Sequence, residues 1–451
     1  MLLKLLRSSG RLNKFQAAVS FPFLRFLSDF LLSSFSMENT TKILAGATCA
    51  LAVAAVGGCW FYGIYSAGKA FDETAISNFS SVLPAELAAR VTKYEGGFFK
   101  KTFQVTFEAV GGMQLGTFNG RAYPGLTTKV ELTRAADTNF EQGLLRAGVQ
   151  NFDDRIEVSY TAWDALTSGS QALPSARLTY KIKPFTVVAG GQCSFEAFEF
   201  DIETGKTLEV RAQTPGLSCR PVGQPELKLG KFEFSFVSDA APIAKALNGE
   251  NSGLSETSLT MKIDSMVSAA ARFDGFDFKL DLKPEEGTKT WAETMSFSLK
   301  KPASPALYLE LGQIGAVDDV SGSVRVTGIT EELCEQFAQI LLGPSYLHDD
   351  LLTLTLMRGI QNDGVVVEFD PLSVSIEGNR ATLSGVLRSE STGQGTQPVG
   401  RFQFESDESI LPPELVADAL MQGYVKQEKS KIKSEIVLTP EYGTANGLQL
   451  Y

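Results

Sequence analysis

Histidine is almost absent from this sequence. His348 is the single histidine in 451 residues. A zinc site built from several histidines is therefore excluded, and a Ser-His-Asp hydrolase would depend on this one residue. The sequence also has no Gly-x-Ser-x-Gly elbow, no phosphate-binding loop and no dinucleotide-binding glycine pattern. These absences predict a protein that is not an enzyme and that uses no cofactor, with a periplasmic hydrolase as the weaker alternative.

Acidic pairs are present but lack the spacing of a calcium loop. They occur at Asp153-Asp154, Asp318-Asp319 and Asp349-Asp350. Nothing in the sequence marks one pair as lying in a cleft, where two carboxylates could hydrolyse a glycan. We therefore predict solvated turns at all three pairs and no metal site.

Cysteine is scarce as well, with five residues in the chain. Cys193 and Cys219 both lie in strand-like surroundings, 26 residues apart. Outside the cytoplasm they could form a disulfide. Two separate buried thiols are the alternative, because sequence spacing does not fix the distance between the two Cα atoms.

Positive charge is in deficit, since the chain carries a net charge of −11. Residues 1–62 carry +4, which leaves −15 for residues 63–451. Nucleic acids and anionic membrane surfaces attract basic proteins, so a body this acidic argues against a nucleic-acid partner.

Long apolar runs are absent apart from one. Residues 43–68 form 26 uncharged positions between Lys42 and Lys69, and a membrane-spanning helix needs about 20. Three aromatic residues near its end are typical of a membrane–water interface, and they are Trp60, Tyr62 and Tyr65. Basic residues before the span predict a single-pass protein with a cytoplasmic N-terminus and its body on the other side of the membrane. A cleaved signal peptide is the rival interpretation.

Two features of this N-terminal region leave alternatives open. Small residues repeat at four-residue steps along the span, at Gly46, Ala50, Ala54 and Gly58. Such a face lets two helices approach closely and predicts a homodimer, although an Ala-rich span produces this stripe by chance as well. Residues 1–36 have three alternative interpretations. They resemble a transit peptide in composition, they could be an upstream extension before a true start at Met37, or they could form a peripheral amphipathic segment.

Alternation of apolar and polar residues predicts β-strands through most of the remaining chain. Phe232, Phe234 and Phe236 alternate with polar residues, and residues 276–283 follow the same pattern. We therefore predict a mainly β, α+β protein, with one N-terminal transmembrane helix, large antiparallel sheets and a few helices in the C-terminal half. A polar, Gly-rich stretch separates a first domain, 69–247, from a second, 254–451.

The first predicted helix follows Thr330, whose side chain can cap it, and the other two lie near 345–360 and from Pro412-Pro413 to about Lys433. In this interpretation the third helix ends in four lysines, Lys426, Lys429, Lys431 and Lys433. They would offset the helix dipole or bind an anionic partner. A final hairpin is predicted between residues 436–438 and 448–450, with its turn at Asn446-Gly447.

The order of these short motifs resembles the YdgA-like family of bacterial envelope proteins. The resemblance spans residues 43–451 and implies an inner-membrane anchor with a periplasmic body. The family is a domain of unknown function, so it implies no catalytic residues, and residues 1–36 depart from its pattern. The motifs are Trp60-Phe61-Tyr62-Gly63, Tyr94-Glu95-Gly96-Gly97-Phe98-Phe99, Gly322-Ser323-Val324-Arg325-Val326, Asp370-Pro371-Leu372-Ser373-Val374, Ala381-Thr382-Leu383-Ser384-Gly385, Gly423-Tyr424, Tyr442 and Asn446-Gly447-Leu448.

Two functional hypotheses follow. In the first, a membrane-anchored, non-enzymatic protein maintains or assembles the cell envelope through contacts with envelope proteins. In the second, the Phe-rich sheets form a β-groove that handles lipid, against the alternative that the same residues fill an ordinary sandwich core.

Overall fold

The structure is a computed structural model. It describes residues 87–96, 100–109, 113–123, 127–136, 138–161, 175–223, 225–242, 254–269, 271–303, 316–333, 355, 358–360, 364–392, 395–411, 413–439 and 441–449. The chain is mainly β and divides into two compact units, Met1–Ser255 and Glu256–Tyr451. The division falls next to the polar stretch in which the sequence predicts a domain boundary.

Unit 1 consists of strands with one helix between them. In chain order they are β1 Leu87–Gly96, β2 Lys101–Ala109, β3 Met113–Tyr123, β4 Thr127–Arg134, helix α1 Thr138–Arg146, β5 Val149–Gln150, β6 Asp154–Thr161, β7 Ala176–Ile182, β8 Phe185–Val187, β9 Gly191–Phe195, β10 Phe198–Thr204, β11 Thr207–Thr214, β12 Leu217–Pro221, β13 Leu227–Leu229 and β14 Phe232–Asp239. No helix is predicted from the sequence at the position of α1.

The main sheet of unit 1 is an antiparallel meander in the order β1-β2-β3-β4-β6-β7-β10-β11-β14. A smaller antiparallel sheet has the order β5-β8-β9-β12-β13. The chain passes from the main sheet to the smaller sheet through two-residue connections, between β7 and β8 and between β11 and β12. Gly216 lies in the second connection with φ 147°, and a Cβ there would approach the Leu229 carbonyl oxygen to 2.5 Å. Only glycine fits this close approach.

Unit 2 is again mainly strand. Its elements are β15 Thr257–Ile263, β16 Met266–Val267, β17 Arg272–Phe273, β18 Gly275–Pro284, β19 Trp291–Lys300, β20 Val317–Ile329, β21 Val366–Ile376, β22 Asn379–Thr392, β23 Gly395–Asp407, a 3-10 turn at Glu408–Ile410, helix α2 Pro413–Met421, β24 Lys426–Glu428, β25 Lys431–Leu438, β26 Gly443–Ala445 and β27 Leu448–Gln449. Ten of these strands form an antiparallel meander in the order β15-β18-β19-β20-β21-β22-β23-β25-β26-β27. The short strands β16 and β17 pair with each other, and β24 pairs with β25.

The third predicted helix is present and begins at Pro413, but its predicted end near Lys433 is wrong. Helix α2 ends at Met421, because Gly423 adopts φ 75° and the backbone N–H of Tyr424 donates to the Ala419 carbonyl. This is the left-handed glycine cap that terminates many helices. The four lysines therefore do not offset a helix dipole; Lys426 lies in β24, Lys431 and Lys433 lie in β25, and Lys429 lies in the turn between them.

The predicted turn at Asn446-Gly447 is confirmed, but its strands differ from the prediction. Asn446 and Gly447 have φ angles of 50° and 82°, the mirror-image turn that joins two-residue hairpins. This turn joins β26 to β27, and residues 436–438 of β25 pair with β26 instead of with residues 448–450. The three-residue strand β26 is too short for the alternation to reveal it.

Candidate functional site

Unit 2 carries its apolar side chains on one face of the meander. Directly opposite residues in antiparallel strands share a face, so the register identifies this surface. Leu280 lies opposite Leu259 and Met295, and Phe278 lies opposite Met261 and Phe297. On β20 and β21 the same face continues through Val324 and Phe369. We call this surface the apolar face of unit 2.

The apolar face differs in burial along its length. Leu259, Met261 and Leu280 are buried. Several neighbours are only half-buried, and they are Phe276, Phe278, Leu282, Met295, Phe297 and Leu299. The side chains of β18 and β19 therefore retain accessible apolar surface next to a fully packed strand.

A packed cluster borders this half-buried strip. Leu333 and Ile360 are buried with Ile329, Val365 and Val367, and half-buried side chains that include Trp291, Val324 and Val326 pack against them. Residues 331–333 are helical, and the Leu333 backbone N–H donates to the Thr330 Oγ1 atom at 3.2 Å, as the predicted cap requires. The cluster reaches the strip through Trp291, which lies on β19.

Glu293 lies within the apolar face. It is directly opposite Leu282 on β18 and Val326 on β20, and it precedes Met295 and Phe297 in the same alternation. Burial among these neighbours raises the pKa of the Glu293 carboxyl. The signal for this residue in the sequence is a single acidic side chain at an apolar position of the alternation in β19.

The opposite face of unit 2 is polar and carries surface ion pairs. Lys279 pairs with Asp281 at 2.6 Å along β18, and Lys433 pairs with Glu428 at 2.7 Å across β24 and β25. Lys431 also pairs with Glu405. Each such exposed pair contributes little to stability, so this face serves mainly to keep the sheet solvated.

Unit 1 has the same amphipathic construction, with a gradient in burial. On β2 to β7, side chains such as Val105, Val130 and Tyr180 are fully buried. On β10 to β14 the apolar positions are mostly half-buried, and they include Phe198, Phe200, Ile202, Val210, Phe232 and Phe234. The outer strands of this sheet therefore also present partly accessible apolar surface.

A buried ion pair lies in the core of unit 1. Arg134 Nε and Nη2 donate to the two Asp154 carboxylate oxygens at 2.6 and 2.5 Å, and Tyr180 donates its hydroxyl at 3.1 Å. The guanidinium also lies 4.7 Å from the Phe118 ring centre and 5.4 Å from that of Phe152. Burial, together with the Asp154 charge, raises the pKa of Tyr180, which therefore stays a neutral donor. Because Arg134, Asp154 and Tyr180 bond to one another inside the core, these three residues have a structural role.

The predicted solvated turn at Asp153-Asp154 is therefore wrong for one of its two residues. Asp154 is 1% exposed, while Asp153 is exposed and pairs with Lys183. The predicted turn is also wrong for Asp318 and Asp319, because both lie in strand β20, where Asp318 accepts a hydrogen bond from the Gly378 backbone N–H at 2.7 Å. Asp349-Asp350 and His348 lie outside the described residues.

The smaller sheet of unit 1 holds the two cysteines. Cys193 on β9 lies directly opposite Cys219 on β12, and the two are joined as a disulfide. Phe185 and Phe195 stack beside them with ring centres 4.5 Å apart. The register of these two strands supplies the proximity that spacing alone did not fix.

Exposed aliphatic side chains meet at one end of this smaller sheet. Leu145, Val188 and Val222 are 66%, 47% and 81% exposed. Backbone hydrogen bonds tie their loops together, because Gly148 donates to Leu145 and accepts from Val188, and Val222 donates to Gly190. We call these three residues the aliphatic tip. It is a small surface suited to a docking contact.

The remaining sequence predictions fall elsewhere in the chain. The proposed span at 43–68, its small-residue face and its aromatic end lie outside the described residues. Within the described residues, no helix is both long enough and apolar enough to cross a bilayer. The same residues contain no group of three His, Cys, Asp or Glu side chains arranged to hold a metal ion.

No protein-family model, curated protein or solved structure matches this chain.

Proposed function

We propose that this chain is a membrane-anchored, non-enzymatic protein of the bacterial cell envelope, and that its periplasmic body holds the apolar part of a lipid on a β-sheet. The half-buried strip on β18 and β19 carries this proposal. A sheet that served only as a core would bury these side chains as fully as Leu259 and Met261 are buried. Accessible apolar surface beside a packed strand is instead typical of a binding groove.

Three other observations support the location. The uncharged segment 43–68 provides the anchor. The disulfide between Cys193 and Cys219 favours an oxidising compartment, which in a bacterium is the periplasm. The resemblance to the YdgA-like family agrees with both. Close approach along Gly46, Ala50, Ala54 and Gly58 would make the anchored protein a homodimer.

Photocrosslinking in cells tests the lipid proposal. Benzoylphenylalanine replaces Phe297, on the apolar face, in one variant and its neighbour Ser296, on the opposite face, in a matched control. We expect mass spectrometry to find lipid acyl chains attached at position 297 and not at position 296. No lipid at either position, or equal amounts at both, would contradict a lipid-binding face.

The aliphatic tip favours a second function, in which the body docks onto an envelope protein. Leu145 in α1 and Val188 and Val222 in the adjoining loops are exposed aliphatic side chains that a partner protein would cover. Contacts of this kind, made through one small rigid surface, would suit a protein that helps to assemble or maintain the envelope.

The same crosslinking method distinguishes this second function. Benzoylphenylalanine at Val222 should capture one defined protein, and the same group at Glu203, which is exposed on the polar face of β10, should not. Replacing Leu145 with Asp in the Val222 variant should abolish the adduct. A failure to capture any protein at position 222 would remove the support for docking through the tip.

A further inference from the structure

Glu293 is the one ionisable residue at the apolar-face positions of the described strands β15, β18, β19 and β20. The other positions are Thr257, Leu259, Met261, Ile263, Phe276, Phe278, Leu280, Leu282, Met295, Phe297, Leu299, Val320, Gly322, Val324 and Val326. Its direct neighbours across the sheet are Leu282 and Val326, which offer a carboxylate neither a hydrogen bond nor a charge.

The Glu293 carboxyl makes no hydrogen bond or ion pair with any described residue. Burial of a carboxyl group among apolar side chains disfavours its charged form, and the pKa of Glu293 is raised for this reason. An apolar residue at this position would be more favourable for folding. A residue that costs stability in this way is a candidate for a functional role.

The position of Glu293 suits one end of a chain-binding strip. Met295, Phe297 and Leu299 follow it on the same face, and the strand rise places Leu299 about 20 Å away from it. One leaflet of a bilayer contributes about 15 Å of hydrocarbon. The strip is therefore long enough for one acyl chain with its polar end at Glu293.

We propose that Glu293 binds a primary ammonium group at the polar end of a long-chain amphiphile whose hydrocarbon chain lies along Met295, Phe297 and Leu299. A cation is favoured over an anion because Glu293 is the one charge at the described positions of β15, β18, β19 and β20 on this face, and because residues 63–451 carry −15. The ammonium supplies the hydrogen bonds and the charge that the carboxylate does not find among the described residues. This inference rests on the proposed lipid-binding function.

Native mass spectrometry of the full chain tests the selectivity. The probes are hexadecylamine and hexadecanoate as free amphiphiles, with phosphatidylethanolamine and phosphatidylglycerol as headgroup-bearing lipids. We expect the amine-bearing member of at least one pair to bind roughly tenfold more tightly, the size of one charge-assisted hydrogen bond. The pair that shows this preference identifies whether the ammonium belongs to a lipid headgroup or to a free amine.

Glu293→Gln should reduce that preference about tenfold, to near equality. Asp277→Asn is the matched control, because it removes the same charge from an exposed position on the polar face of β18. Asp277→Asn should leave the preference for the amine-bearing amphiphile unchanged. Lipid bound elsewhere on the chain contributes equally to both variants and therefore cancels in the comparison. Glu293→Met provides a second variant that fills the site with an apolar side chain.

The outcomes separate the two proposals. Crosslinking of lipid at position 297 without an amine preference, or with a preference that Glu293→Gln and Glu293→Met leave intact, overturns the role of Glu293 and keeps the lipid-binding face. If benzoylphenylalanine at position 297 captures no lipid in the otherwise unchanged protein, both the lipid-binding face and the role of Glu293 are overturned.

Discussion

At the residue scale, Asp154 shows how a polar pair is accommodated in the core of unit 1. Its carboxylate accepts two hydrogen bonds from Arg134 and one from Tyr180, and the side chain is fully buried. A buried ion pair of this kind contributes little net stability compared with apolar residues, but removal of one partner leaves a charge without compensation.

Asp154→Asn is therefore expected to lower the free energy of unfolding of unit 1 by roughly 3–5 kcal/mol, because the Arg134 guanidinium would remain buried beside a neutral amide. Urea unfolding of the purified chain, followed by circular dichroism, measures the change. The expected direction is a lower midpoint.

The neighbouring Asp153 provides the control. It pairs with Lys183 at the surface, where both side chains are more than half exposed. Asp153→Asn should change the unfolding free energy by less than about 1 kcal/mol. Equal effects of the two substitutions would show that burial of the Asp154 pair does not determine its contribution.

The contrast between Asp154 and Glu293 shows what sequence can predict at this scale. Glu293 occupies an apolar position of a clear alternation in β19, so its place among apolar side chains could be predicted from the sequence. Asp154 stands at the start of β6, and its partner Arg134 is 20 residues earlier on a neighbouring strand. Only the register of β4 and β6 brings them together, and register is not encoded in local pattern.

At the element scale, residue types predicted the positions of turns and caps more accurately than they predicted the length of a helix. The turn at Asn446-Gly447 and the capping Thr330 both follow from residue type, because few residues tolerate those backbone angles or supply that hydrogen bond. The end of α2 was also encoded, at Gly423, but the charged run that follows it suggested a longer helix. The alternation of Lys431, Lys433 and Glu435 with buried Ile432 and Ser434 in β25 was the better signal.

The candidate site is also an element-scale feature. Period-2 alternation predicted apolar faces on β14 and β18, which the structure confirms. Which of these faces stays partly accessible could not be predicted, because burial depends on what packs above each strand. Leu259 and Phe278 have the same pattern in sequence, yet one is buried and the other is half-buried.

At the scale of the whole molecule, each unit is an antiparallel meander in which neighbours in sequence are mostly neighbours in the sheet. The predicted mainly β class is confirmed. The transfer of strands from the main sheet of unit 1 to its smaller sheet was not predicted, since breaks such as Gly216 look like ordinary glycines in the sequence. The disulfide lies entirely within that smaller sheet, so its effect on the molecule should be regional.

We therefore expect removal of the disulfide by Cys193→Ser and Cys219→Ser to destabilise unit 1 and not unit 2. The bond joins residues separated by 26 positions, and closing a loop of that size stabilises a fold by about 3 kcal/mol. Amide hydrogen exchange measures this region by region. Protection of β9, β12 and the adjoining β10 and β11 should fall by roughly a hundredfold, in proportion to that free energy. Protection of β21 and β22 should not change.

Cys334→Ser provides the control, because it leaves the bridge intact and should match the wild type in the protection of β9 and β12. In the variant without the disulfide, an equal loss of protection in β21 and β22 would show that the bond stabilises the molecule as one cooperative unit.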